Sequence, residues 1–94
     1  MDETTFEQIV LAVLEWYKED AIEFPAEAAV FKNTPMQDLS KYNTSLGRSI
    51  RNEFDLWKYP WEPQLVNGID YSPNHPDEVS IRVLQEVWKR IQDN

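Results

Sequence analysis

The sequence predicts an all-α fold, a compact helical bundle of three principal helices plus one or two short ones, and three observations predict it. Apolar residues recur at helical spacing in three separate stretches. Pro25, Pro35 and Pro76 stand where first helical turns would begin. No stretch alternates apolar and polar residues convincingly as a half-buried strand does, and there is no internal repeat or low-complexity tract.

The first helix is expected over about residues 5–22. Thr5 with Gln8 makes a capping box, and Glu7 suits the positive end of the helix. Phe6, Ile9, Val10, Val13, Leu14 and Tyr17 form a stripe that Leu11, Ala12 and Trp16 widen. A helix apolar around so much of its circumference is either central or covers a partner. Pro25 breaks it. Residues 25–42 read as one or two short helices, with Thr34 as the cap of the second. The next principal helix runs over about residues 44–57, with Leu46, Ile50, Phe54 and Trp57 on one face. Arg48, Arg51, Asn52 and Asp55 lie on the other, and Gly47 in its first turn costs about 1 kcal/mol against alanine. Residues 58–76 hold four of the six prolines and read as a long irregular connection. Within it, residues 64–67 suggest a helical turn closed by Gly68. Loops this long in compact domains are often functional. The last helix is well marked: Asn74 or His75 as cap, Pro76 first, Asp77 and Glu78 in the first turn, Lys89 and Arg90 in the last. Its buried face is Val79, Val83, Leu84, Val87, Trp88 and Ile91.

Ninety-four residues make one domain, 1–94. With 41% hydrophobic residues, 13% aromatic and four tryptophans, the chain has too much apolar surface for a disordered acidic tail. It has no cysteine, which removes disulfides, thiolate metal sites and thiol catalysis and fits a reducing compartment. A cytoplasmic location is expected, in the host cell if the protein is phage-encoded. The apolar run 9–14 is far shorter than the roughly 20 residues of a membrane span, and no targeting segment is visible. The Asn43-Thr44-Ser45 sequon then carries little weight.

The first thirty-one residues hold eight acids against one base, Lys18, and so carry −7 of the formal −8. Such a field bears on partner choice and association rate. Acids outnumber bases 17 to 9, which argues against direct binding to a nucleic-acid backbone and for a protein partner with a basic surface. Glu15, Glu19, Asp20 and Glu23 are the first partner-binding candidates. Blandly, the glutamates of this helix are a solvated face. They can also dock a basic patch, or imitate nucleic acid, since residues four apart rise about 6 Å.

Trp57-Lys58-Tyr59-Pro60-Trp61 packs three aromatics into five residues. One ring should be core; Trp57, Tyr59 and Trp61 are otherwise interface candidates, or the loop folds back over them. Catalytic signals are few. The single histidine, His75, is read as a helix cap. Asp70, His75, Asp77 and Glu78 follow no recognised metal spacing, and no phosphate loop or nucleophile elbow is present. No catalytic, metal or cofactor site is assigned. Arg51 is expected to pair locally with Asp55, or either Arg48 or Arg51 with the acidic first helix.

The block Leu46-Gly47-Arg48-Ser49-Ile50-Arg51-Asn52-Glu53-Phe54-Asp55-Leu56-Trp57, followed by Asn74-His75-Pro76-Asp77-Glu78-Val79-Ser80, resembles a family of small uncharacterised helical proteins of bacteria and phages. That family shows an Ile-Arg-Asn-x-aromatic-x-Leu-Trp helix and then a His-Pro-Asp helix start. The resemblance covers residues 44–91 and implies a compact helical domain, with Arg51, Asn52, Trp57, His75 and Asp77 matching the motif. It implies no activity. Arg51 or Asn52 reaching across the loop to the His75-Asp77 helix start would form a structural clamp.

The expected function is that of a small acidic non-catalytic protein that binds another protein, a phage-encoded modulator or inhibitor of a host factor. The first alternative is a nucleic-acid-mimicking inhibitor of a DNA- or RNA-binding host defence system. The second is a small metal-dependent hydrolase using His75 and nearby acids. A homodimer through the first helix stays open.

Overall fold

The computed structural model of the protein describes residues 1–92. Its all-α framework comprises helices α1 (Glu3–Glu23), α2 (Pro25–Asn33), α3 (Leu46–Glu53) and α4 (Pro76–Gln92). Two 3₁₀ segments, Met36–Tyr42 and Leu56–Lys58, flank α3, and one small hairpin pairs β1 (Leu65–Val66) with β2 (Ile69–Asp70).

Helix α1 begins two residues earlier than the sequence suggests, because Asp2 is its cap: Oδ1 accepts from the Thr5 amide at 2.8 Å. Thr5 itself sits inside the first turn. Of the broad apolar surface, Ile9, Val10 and Val13 are buried, whereas Leu11 and Ile22 stay exposed. Helix α2 starts at Pro25, whose missing N–H costs nothing there. It ends at Thr34, whose hydroxyl donates to the Val30 carbonyl at 2.7 Å. Thr34 thus closes α2 rather than opening the next element. The 3₁₀ segment that follows is anchored by the fully buried Leu39.

Helix α3 is shorter than expected. Asp55, at φ 48°, takes the left-handed conformation and ends it, and the Leu56–Lys58 turn then swings Leu56 inward. Trp57 consequently lies outside the buried face assigned to it, with 53% of its surface exposed. Arg51, which lies opposite the apolar stripe in the sequence pattern, is buried as well. In the next connection the anticipated helical turn is a hairpin. Asn67 and Gly68 both adopt positive φ, 53° and 81°, as a tight two-residue hairpin turn requires.

Helix α4 organises the core. Val79, Val83, Leu84, Val87 and Ile91 pack with Ile9, Val10 and Val13 of α1, Phe31 of α2, Leu39, Ile50 of α3 and Leu56. Trp88 is only partly buried, and its indole N–H donates to the Thr34 carbonyl at 2.8 Å, tying α4 to the end of α2. Among the described residues, no helix is long and apolar enough to cross a membrane.

Candidate functional site

The polar centre of the molecule is Arg51. Its Nη1 donates to Asn43 Oδ1 at 3.0 Å and to Ser80 Oγ at 3.1 Å, and its Nη2 to the Asn43 carbonyl at 2.9 Å. Its Nε stands 3.3 Å from Asp77 Oδ1. Ser80 Oγ in turn donates to the Asp77 carbonyl at 2.8 Å. One planar guanidinium therefore joins the segment before α3, α3 itself and the first turn of α4, a task its fork of donors suits. Gly47 makes room for it: a Cβ there would stand 3.1 Å from Arg51 Nη1 and 3.3 Å from the Tyr42 carbonyl. Arg51 reaches Asp77 at the start of α4, the contact of the clamp alternative, rather than Asp55 or the acidic first helix. Asn52 and Arg48 of the same helix are exposed.

His75 caps α4. Its Nδ1 accepts from the Asp77 amide at 3.1 Å, and its carbonyl accepts from the Val79 amide at 2.9 Å. The imidazole meets Trp57 and Trp61 edge to face, with ring centroids 5.6 and 5.3 Å away, and the two indoles lie 6.0 Å apart. The 57–61 segment thus folds back over the helix start. Tyr59 is half-buried against the core, and Trp61 is half-buried as well.

Asp70 fixes the hairpin to this aromatic cluster. Its Oδ2 accepts from the Trp61 indole at 3.0 Å, and its Oδ1 from the amides of Ser72 at 2.8 Å and Gln64 at 3.1 Å. The Ser72 amide, helped by the Gln64 amide and the indole against partial desolvation, holds the Asp70 carboxyl below its usual value. A depressed carboxyl contributes order above its unfolded value of about 3.9 and loses it as pH falls through the folded one. Amide exchange of Tyr71 and Ser72 should therefore quicken as pH is lowered below about 4, beyond the intrinsic pH dependence. An Asp70→Asn variant should show weaker protection already at neutral pH and none of this acid response. Equal protection in both proteins would show that Asp70 does not hold the hairpin.

The hairpin also exposes a surface that the sequence reading missed. Cross-strand partners are Leu65 with Asp70 and Val66 with Ile69, and the Tyr71 amide bonds the Gln64 carbonyl beyond them. Side chains alternate between faces along a strand. Asp70 points to the Trp61 side, so Val66, Ile69 and Tyr71 share the opposite face. They are 55%, 56% and 61% exposed. The signal was present: an Asn-Gly pair between apolar residues is a strong hairpin cue.

The acidic third is only partly a solvated face. Glu7 receives both Nη1 and Nη2 of Arg90 at 2.6 Å, and these bonds hold its carboxyl below the usual range. Glu15 pairs with Lys18 at 3.2 Å. Glu19, Asp20 and Glu23 are exposed. These acids and the hairpin belong to different elements. Among the described residues, no group of three or more His, Asp or Glu side chains stands close enough to hold a metal ion. No family model, curated protein or solved structure matches this chain.

Proposed function

We propose that the protein is a small acidic, non-catalytic binding protein that docks onto another protein through the outer face of its hairpin. The observation that carries this reading is the exposure of Val66, Ile69 and Tyr71 together on one face, while Asp70 tethers the other. Contiguous exposed apolar side chains on a small protein mark interaction surfaces. A tethered hairpin also loses little freedom on binding, which favours affinity. The partner is a protein with an apolar patch bordered by lysine or arginine. The exposed carboxylates of Glu19, Asp20 and Glu23, within a net charge of −8, would steer such a surface toward the molecule. We read it as a phage-encoded modulator or inhibitor of a host factor. His75 as a helix cap, with its ring flanked by two indoles, supports the non-catalytic part of the reading. Arg90 engages Glu7, which leaves fewer acids available to imitate phosphates.

Affinity capture from the native host with the wild type, followed by direct measurement on the partner recovered, tests the proposal. A Val66→Asp/Ile69→Asp variant should bind at least about 30-fold more weakly, as loss of about 2 kcal/mol at an interface centre requires. A Glu19→Gln/Asp20→Asn/Glu23→Gln variant should mainly slow association, and only at low salt. Undiminished affinity of the hairpin variant would sink the docking assignment. Displacement of the partner by duplex DNA, with a steep salt dependence, would favour nucleic-acid mimicry instead.

A further inference from the structure

An apolar cleft of about 330 Å³ opens between α1 and α2 and reaches down to α4, remote in sequence from the hairpin. That volume lies in the range of small-molecule sites. Trp16 and Tyr17 of α1, Phe31 of α2 and Tyr42 line it, and the buried Leu84 of α4 closes its floor. The rings form a continuous wall, with Tyr17 and Phe31 centroids 6.2 Å apart and Phe31 and Tyr42 5.4 Å apart. Trp16 is fixed in plane by stacking on Phe54 at 5.6 Å. Water in such a cleft finds few polar partners, so an apolar occupant displaces it at little cost.

The lining is not apolar throughout. Asp20 and Glu27, both exposed, belong to the cleft and stand at its mouth. The base nearest Asp20 in sequence, Lys18, is engaged by Glu15. Aromatic faces carry partial negative charge and attract cations, and quaternary ammonium groups are commonly recognised this way. Tyr42 already has the Lys41 ammonium 5.5 Å from its ring centre, which leaves Trp16, Tyr17 and Phe31 for a ligand. Aromatic walls with two carboxylates at the entrance favour a positive head on an apolar body. A neutral ligand would leave the carboxylates unused, and an anion would be repelled.

We propose that this cleft binds a small organic cation, an aryl- or alkylammonium compound whose body fills the hollow and whose head lies between the aromatic rings and the carboxylates of Asp20 and Glu27. The site shares no residue with the hairpin; Asp20 alone also belongs to the steering acids, where its loss changes association rate rather than the docking face.

The test is a nuclear magnetic resonance titration with phenyltrimethylammonium and its neutral isostere, tert-butylbenzene. The cation should shift the Trp16 indole and the Ala28 and Phe31 amides saturably, and bind at least about tenfold more tightly than the isostere. In an Asp20→Asn/Glu27→Gln variant, affinity for the cation should fall about tenfold while that for the isostere stays unchanged. Equal affinity of the two probes, saturable shifts elsewhere, or no saturable shifts would overturn the proposal. A trimethyllysine peptide that bound more tightly than the free cation would overturn assignment to a free ligand and point to a partner's side chain.

Discussion

Arg51→Ala is expected to lower the stability of the fold by about 3 kcal/mol, or about 15 °C in Tm. The guanidinium is buried, and its removal strands the Asn43 side chain and carbonyl and takes a donor from Ser80. Hydrogen bonds to a charged donor are worth about 1.5–3 kcal/mol each, and their losses are not additive. Asp77 adds less, because its carboxylate is half exposed and water can replace the arginine. Lysine should rescue only part of the loss, since a single ammonium cannot span Asn43, Ser80 and Asp77 at once. Thermal unfolding followed by circular dichroism decides the matter. A variant with unchanged Tm that had lost a binding activity would make Arg51 a recognition residue rather than a clamp.

Leu39→Ala should cost a comparable amount, about 3 kcal/mol, with a similar fall in Tm. Leu39 is fully buried and is the one buried residue of the Met36–Tyr42 segment. A short 3₁₀ segment has little stability of its own, so its position depends on what it inserts into the core. Truncation leaves a cavity beneath the segment and removes its main reason to stay in place. Denaturant unfolding should show a lower midpoint. If the segment loosens before the whole domain, exchange of the Asn43 amide, bonded to the Ser40 carbonyl at 3.0 Å, will quicken more than that of α4 amides. A cost below about 1 kcal/mol would mean that the neighbouring side chains close the gap.

Residue spacing made the all-α class, the placement of α4 and the role of His75 legible. Helix α4 carries proline, acids, bases and an apolar stripe in mutually consistent positions, and local signals of that kind survive tertiary packing. The end of α3 was not legible. The Ile50-Phe54-Trp57 spacing is helical, yet Asp55 turns left-handed and exposes Trp57. The burial of Arg51 was also invisible, because it depends on small residues, Gly47 and Ser80, meeting from separate helices. The aromatic cleft escaped for the same reason: Trp16, Phe31, Tyr42 and Leu84 come together only in the folded chain. The hairpin shows in the sequence only through its Asn67-Gly68 turn. Its strands are two residues long, too short for an alternating pattern to register.

The place of α4 in the chain has a bearing on how the protein is made. Every other helix rests on residues 76–92, which leave the ribosome after all of them. Until then Ile9, Val10, Phe31, Leu39 and Ile50 lack the surface that covers them, and the Thr34 carbonyl lacks its indole donor. The nascent chain therefore waits, apolar and strongly acidic, for the seventeen residues of α4. In that interval, mutual repulsion between the acidic first thirds of unfinished chains opposes their association.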